Sequence, residues 1–200
     1  MKNTIDIQNI NIIKHFTRIE NRHFLAITAI LFILSGCAGS PAGVDIVQPL
    51  NSEVNLTQYK FLELIATSDE DILITNSDKE RIVGLVQSKI NEKNPDRFKF
   101  VNGEKLVSPS IKATINIRTY EKGNAFARAM LVGLGQIHIE GDLILEDIST
   151  NMILGKFDIT KTFAWGGIYG GVTRIEDVED GFAEAIVAIL FEEEQLSEPS

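Results

Sequence analysis

The chain has only one cysteine and three histidines among its 200 residues. A disulfide needs two cysteines, so Cys37 cannot form one within the chain. His15 and His23 precede Cys37, which leaves His138 as the one histidine beyond it. The sequence after Cys37 therefore lacks the residues for Cys–His nucleophilic catalysis and for a metal site built on two or more histidines.

The longest apolar run, residues 24–34, comes just before that cysteine. It is too short to cross a bilayer, because a membrane-spanning helix needs about 20 apolar residues. It does have the length of a signal-peptide core, and Lys14, Arg18 and Arg22 supply the basic flank that such a core requires. The run therefore predicts an export signal rather than a membrane span.

The four residues that end this segment are similar to the lipobox of bacterial lipoproteins. In a lipobox the peptide is cut before the cysteine, and the cysteine thiol and the new amino terminus are acylated. The resemblance implies a signal peptide at 1–36 and palmitate on Cys37. An uncleaved anchor or a short buried helix is the alternative. The motif residues are Leu34, Ser35, Gly36 and Cys37.

The residue after the cysteine is Ala38. In Gram-negative lipoproteins an aspartate at that position usually retains the protein in the inner membrane. The resemblance therefore implies an outer-membrane lipoprotein whose domain faces the periplasm.

Acidic residues dominate the rest of the chain. Without residues 1–36 there remain 15 Lys and Arg against 26 Asp and Glu, a formal net charge of −11. Nucleic acids and anionic lipid headgroups select basic surfaces, so neither is expected as a partner. The expected partners are the membrane, through the lipid anchor, and an envelope protein.

The pattern along the chain predicts four segments. Residues 1–36 are the signal peptide, and 37–56 are the lipidated cysteine and a flexible tether, with an edge strand near 44–47. Residues 57–191 form a single α+β domain, and 192–200 form a disordered acidic tail.

Two amphipathic helices and a long meander are expected within the domain. Ser77 and Glu80 have capping-box spacing ahead of a helix at 77–93, and Thr173 and Glu176 have the same spacing ahead of a second helix. Alternating apolar residues predict strands at 111–117, 137–145 and 152–163. Their short connections favour an antiparallel β-sheet, with both helices packed on one face.

Two glycines are expected to mark local irregularities, one a turn and the other a bulge. Asn102–Gly103 favours a hairpin turn between 98–101 and 105–107. Gly141 interrupts the apolar alternation of its strand and is expected to mark a bulge.

The order of the motifs in the second half resembles a family of bacterial envelope lipoproteins, grouped as domain of unknown function 4410. The resemblance covers residues 58–190 and implies the fold and the location. It implies no catalytic residues, because the family has no established activity. The motifs are Arg128 with Gly133-x-Gly135, the turn 147–151, the strand through Gly155 and Phe157, the glycine-rich stretch 166–171, and an early strand near Tyr59.

The glycine-rich stretch is the candidate binding loop. Its aromatic residues either cover the core or line a ligand site, since loops on rigid scaffolds often bind ligands. Gly133-x-Gly135 is interpreted as a tight turn rather than a phosphate cradle, because a strand follows it instead of a helix. The loop residues are Trp165, Gly166, Gly167, Tyr169, Gly170 and Gly171.

A carboxylate-rich strand offers the other chemistry. Glu140, Asp142, Glu146 and Asp147 are interpreted as an exposed strand face, but paired carboxylates can also hydrolyse a glycosidic bond or bind a cation. Arg128 is the charge expected to form a structural ion pair.

The sequence thus predicts a non-enzymatic lipoprotein without a cofactor, an accessory or adaptor in an envelope assembly. The alternatives are a carboxylate-dependent hydrolase of envelope glycans and a small-ligand carrier.

Overall fold

The computed structural model describes residues 41–51, 54–103, 109–131, 134–165 and 167–191. The predicted signal peptide, lipobox and acidic tail lie outside these residues. Six strands and four helices form in the described ranges. They are β1 (Gly43–Gln48), a 3-10 turn (Leu56–Gln58), β2 (Phe61–Ser68), α1 (Asn76–Lys93), β3 (Lys99–Phe100), β4 (Ser110–Glu121), α2 (Ala125–Met130), β5 (Ile137–Asp147), β6 (Met152–Phe163), α3 (Gly167–Val172) and α4 (Ile175–Leu190).

The predicted meander is confirmed. β4, β5 and β6 pair antiparallel in sequence order, and Ile115 lies opposite Leu143, which in turn lies opposite Phe157. The alternating apolar side chains of these strands are buried, and the intervening polar ones are partly exposed. One face of the meander therefore belongs to the core.

The α+β class is confirmed, but the sheet is mixed rather than purely antiparallel. Its order is β1-β6-β5-β4-β2-β3, and β2 runs parallel to β4. Parallel neighbours need a long crossover, which α1 supplies between β2 and β4. The hairpin predicted around Asn102–Gly103 is wrong in its pairing, because β3 pairs parallel with β2. The expected second arm, 105–107, lies outside the described residues.

Part of the segment predicted as a tether is an edge strand. β1 pairs antiparallel with β6, so that Gly43 lies opposite Thr160 and Ile46 opposite Phe157. This places the edge strand where the sequence predicted it, near 44–47.

The two long helices pack against each other and cover one face of the sheet, as predicted. α1 contacts β2, whereas α4 contacts β5 and β6. From α4 the core takes Phe182 and Ile186, and from α1 it takes Ile82 and Val86, all fully buried. No helix in the described ranges is long and apolar enough to span a membrane.

Gly141 lies at an irregularity of the β-bulge type, as expected, although the extra residue is on β4 and not on its own strand. It pairs with Ile117, and the irregularity falls on the partner strand, where the pairing skips Arg118. A Cβ on Gly141 would lie 2.9 Å from the Asn116 carbonyl oxygen and 3.2 Å from Cζ of Phe182. The missing side chain thus makes room for the Phe182 ring.

Both capping boxes are displaced from their predicted positions. α1 is capped by Thr75, whose side chain accepts from the Asp78 amide while the Asp78 carboxylate accepts from the Thr75 amide. At α4 the Asp177 carboxylate accepts from the Arg174 backbone amide at 2.8 Å. Each carboxylate satisfies a free amide at the start of its helix.

Candidate functional site

The glycine-rich segments come together at one end of the sheet. β4 ends there and leads into α2, and β6 ends there and leads into α3. α2 and α3 pack against each other, and a Cβ on Gly171 would lie only 3.2 Å from Cβ of Ala129. A glycine at 171 therefore permits the close approach of the two short helices.

Arg128 holds this end together from inside. Arg128 is only 2% exposed. Its guanidinium donates to three backbone carbonyls, those of Gly135 at 2.6 Å, Gly170 at 2.7 Å and Thr173 at 2.9 Å. The expected ion pair is not what the described contacts show, because the guanidinium donates to these neutral carbonyls instead. Arg128 thus binds both segments singled out in the sequence, the turn at Gly135 and the stretch at 167–173.

The aromatic residues of the candidate loop face outward. Trp165 is 60% exposed and Tyr169 is 62% exposed, so neither covers the core. Most of this stretch is the short helix α3 rather than an extended loop. Gly166 lies outside the described residues.

Large hydrophobic side chains are concentrated on this end. Eight of the fourteen that are exposed in the described ranges come from α2, α3 and the residues beside them. We call this set the apolar end patch. It consists of Phe126, Met130, Leu131, Leu134, Trp165, Ile168, Tyr169 and Val172.

Asp142 and Glu146 of β5 lie on the sheet face opposite the helices, where they are paired. Asp142 lies 3.6 Å from Nε of Arg118 and 3.7 Å from Nζ of Lys156, and Glu146 lies 3.0 Å from Nζ of Lys112. Such solvated pairs contribute little individually to stability. The predicted acidic strand face is thus a face of mixed charge.

Glu140 is the carboxylate partner of His138, and the sequence alone did not identify this pair. Nε2 of His138 lies 2.9 Å from Glu140, and Nδ1 lies 2.6 Å from Oγ1 of Thr162 on β6. The hydrogen bond with His138 lowers the pKa of Glu140, and one from Thr119 adds to this shift. A general acid for glycoside hydrolysis needs a raised pKa, so this arrangement does not suit Glu140 to that role.

Asp147 serves the turn and the first strand. Its carboxylate accepts from the Tyr59 hydroxyl at 2.8 Å and from the Ser149 and Thr150 amides. Burial and the bond to Asp147 raise the pKa of Tyr59 to about 12. Among the described residues, no three His, Asp or Glu side chains are grouped closely enough to hold a metal ion.

Sequence reasoning missed a buried charge cluster between α1, α4 and β4. The Arg81 guanidinium contacts both oxygens of Glu179, at 2.6 and 2.7 Å, and also Asp78 at 2.7 Å. Glu179 is fully buried, and the Tyr120 hydroxyl donates to it at 2.6 Å. A glutamate on the apolar side of α4 was the available signal, since buried charges require partners. Arg81 of α1 contacts Glu179 of α4 and Tyr120 of β4, so the cluster joins these three elements.

A groove of about 430 Å³ runs between β2 and α1. Its walls include Leu64, Ile65 and Ala66 of β2 and Val83 and Gly84 of α1, with Lys79 and Glu80 at the rim. The groove lies beside the edge of β2 that faces away from β4. Local sequence patterns do not predict this groove, because it depends on which strands are neighbours.

Comparisons with known proteins agree with this fold. The family model for a domain of unknown function (DUF4410) matches residues 71–167. No curated protein is significantly similar in sequence to this chain. The structure is similar to the PelC dodecamer of Paraburkholderia phytofirmans, with a TM-score of 0.52 and 9% identity over 74% of this chain and 97% of that one.

Two further structures are similar at lower scores. A Xanthomonas campestris protein of the DUF330 family has a TM-score of 0.47 and 10% identity, over 74% of this chain and 95% of that one. A protein of Caulobacter crescentus CB15 described as a lipoprotein has a TM-score of 0.30 and 10% identity, over 68% of this chain and 93% of that one.

Proposed function

We propose that this chain, whose residues 71–167 match the model of the DUF4410 family that its sequence motifs resemble, is a non-enzymatic lipoprotein of the outer membrane. It acts as an accessory of an envelope assembly and joins that assembly through the edges of its sheet. The observation that carries the proposal is that each edge of the sheet presents backbone beside which no described strand lies.

One open edge belongs to β2. β3 pairs only with Phe61 and Leu62, so no described strand lies beside residues 64–68 on the side away from β4. An unpaired edge presents amide and carbonyl groups that can accept another strand. The adjoining groove supplies an apolar wall for the side chains of that strand.

The other open edge belongs to β1, which pairs only with β6 among the described strands. Its Ile46 and Val47 are about half exposed, at 48% and 58%. We assign β1 of a second copy as the occupant of the β2 edge. The two edges differ, so the contact is head-to-tail and generates a ring or a filament. The similarity to the PelC dodecamer concerns the fold, and it motivates a search for a closed ring.

The lipid anchor is proposed at Cys37. Several acyl chains hold a protein in a membrane, because each buried CH₂ contributes about 0.8 kcal/mol. Replacement of Cys37 by Ser should abolish palmitate labelling. Retained label would contradict the lipobox assignment.

Self-association is tested by the molar mass of the mature lipoprotein in mild detergent. We expect a multiple of the monomer mass for the wild type and for Leu73→Lys, whose side chain is 90% exposed. Ile65→Lys places a charge on the β2 edge and should give a monomer. A monomeric wild type, or an Ile65→Lys variant that keeps the wild-type mass, would contradict edge pairing.

The adaptor role is tested separately by purifying the protein from native envelopes in mild detergent. We expect an envelope protein to accompany the wild type in fixed stoichiometry and to be lost from Cys37→Ser. Recovery of the lipoprotein alone would count against the adaptor role, whatever its oligomeric state.

A further inference from the structure

We propose that the apolar end patch rests on the phospholipid surface that holds the lipid anchor, and that it fixes the orientation of the domain against the membrane. The inference rests on the proposed anchor at Cys37. It concerns a different surface from the sheet edges, so the two proposals can fail separately.

The first support is the composition of the apolar end patch. Its exposed side chains include Phe126 at 75% and Ile168 at 84%, together with the amphipathic rings of Trp165 and Tyr169. Exposed apolar patches mark interaction surfaces, and Trp and Tyr are enriched at the headgroup level of membranes. This composition suits the interface between lipid and water.

The second support is the position of the patch relative to the anchor. β1 begins at Gly43, which lies opposite Thr160 near the end of β6. β6 then leads into Trp165 and α3, so the start of β1 and the patch share one end of the sheet. The opposite end carries the β5–β6 turn, with Asp147 paired to Met152.

The third support is the length of the connection. Gly43 is six positions after Cys37, and six positions span at most about 20 Å when the chain is fully extended. The anchor therefore holds the patch end of the sheet, rather than the turn end, close to the bilayer.

Because the anchor tethers the domain to the membrane, a patch that binds lipid weakly is sufficient for docking. A short link raises the effective concentration of the patch at the lipid surface to about the millimolar range. The acidic charge of the mature chain opposes binding to anionic headgroups, so burial of apolar side chains supplies the attraction. Docking should thus occur on neutral phosphatidylcholine and persist in high salt.

Trp165 provides the probe because it is the only tryptophan in the chain. The lipidated mature protein is reconstituted into phosphatidylcholine vesicles with or without bromine on the acyl chains, which quenches tryptophan on contact. If Trp165 lies at the interface, brominated lipid should lower its emission by about twofold or more.

The control protein carries Trp165→Phe and Met152→Trp, which moves the only tryptophan to the opposite end of the sheet. Met152 is also about half exposed, at 49%. It lies beyond the full length of β5, about 35 Å from the patch end. We expect no quenching of this tryptophan.

A second variant, Phe126→Asp with Ile168→Asp, keeps Trp165 and introduces charge into the patch. Both side chains are largely exposed, so the fold should be retained, and quenching of Trp165 should disappear. Quenching that persists in this variant would contradict docking through the patch.

Two results in the wild type would overturn the inference. If Trp165 is equally bright with both lipids and accessible to aqueous iodide, the patch faces solvent. If it is shielded from iodide but not quenched by brominated lipid, the patch is covered by a second copy or another protein. Mass spectrometry of Cys37 in the same preparation separates these results from a failure of the proposed anchor.

Discussion

Arg128 is the residue on which the patch end of the sheet depends. Its three carbonyl acceptors belong to two segments, the turn at Gly135 and the stretch that contains Gly170 and Thr173. Only a guanidinium has enough donors, in a fixed planar fork, to reach all three. An arginine with this role leaves no motif in a sequence, which is why an ion pair was expected instead.

Replacement of Arg128 by Lys should lower the free energy of unfolding by about 2–4 kcal/mol, because buried carbonyls lose charged donors. Urea unfolding of the mature protein measures the loss. Arg174→Lys is the matched control, since the Arg174 side chain is exposed and its backbone amide and carbonyl make the hydrogen bonds with Asp177. If both variants are equally stable, the carbonyl contacts of Arg128 do not stabilise the fold.

Two ion pairs between α1 and α4 differ in burial, so their removal should lower the free energy of unfolding by different amounts. Arg81→Met leaves fully buried Glu179 without its cation and should lower stability by about 3–5 kcal/mol. Lys89→Met removes contacts to Asp180 and Glu184, which are solvated, and should cost about 0–1 kcal/mol. Equal losses in urea unfolding would show that burial does not distinguish the two pairs.

Tyr59 makes the fold sensitive to alkaline pH. Folding raises the pKa of Tyr59 from 10.0 to about 12, by burial first and then through Asp147, so the folded state holds this proton more tightly. The resulting stability is complete below pH 10 and is lost as the pH rises toward 12. Burial also raises the pKa of Tyr120, which acts in the same direction.

Tyr59→Phe should therefore reduce the fall in stability over this pH window without removing it. Urea unfolding at several pH values measures the fall, and tyrosinate absorbance follows ionisation directly. A wild type in which all three tyrosines ionise near pH 10 while folded would contradict the raised pKa values.

At the scale of elements, glycines in a strand and in a helix should respond in opposite ways to the same change. Gly141→Ala forces a Cβ against the Asn116 carbonyl and the Phe182 ring, and should cost about 1–3 kcal/mol. Gly84→Ala, in α1, meets nothing within 4 Å and should add about 0.5–1 kcal/mol. Thermal or urea unfolding distinguishes the two; destabilisation by both would place Gly84 in a tighter site than the structure shows.

Sequence periodicity predicted the strands and long helices well, because alternation and helical spacing are local. The bounds of β6 coincide with the prediction, and the apolar face of α4 is buried as expected. The cap of α1 lies two residues before its predicted position, because Thr75 and Asp78 have the same spacing as Ser77 and Glu80. The spacing alone does not choose between overlapping caps.

Local sequence patterns do not predict which strands are neighbours in the sheet. Nothing in residues 61–68 states that their partner is β4 rather than the preceding strand, and the parallel pairing depends on where α1 returns the chain. The β2 edge, its groove and the cluster around Glu179 all follow from that neighbourhood. For the same reason, the candidate site was predicted only in part, as a glycine-rich aromatic stretch.

At the scale of the whole molecule, the sheet should be unequally stable along its width. β4 and β5 have partners on both sides, whereas β1 has one partner and mostly exposed side chains. Local opening costs least where few apolar contacts are lost. β1 is therefore the strand that can detach while the core stays folded.

Detachment of β1 would change the reach of the proposed anchor. With β1 paired, the sheet begins at Gly43, six positions after Cys37; with β1 released, the first residue hydrogen-bonded to the domain is Asn51, whose amide donates to the Leu154 carbonyl, 14 positions after Cys37. The maximum span rises from about 20 Å to about 50 Å. The strand would thus decide whether the patch end is held at the membrane or the domain stands off from it.

Hydrogen exchange of the lipidated Ile65→Lys protein, in which β1 is not covered by a second copy, tests this prediction. Amides of β1 should exchange much faster than those of β4 and β5, and vesicle binding through the apolar end patch should slow them, because a docked patch favours the short connection. The Phe126→Asp, Ile168→Asp variant should lose that slowing while exchange in β4 and β5 stays unchanged. Protection of β1 equal to that of β5 without vesicles would mean that the strand belongs to the core and that the connection has one fixed length.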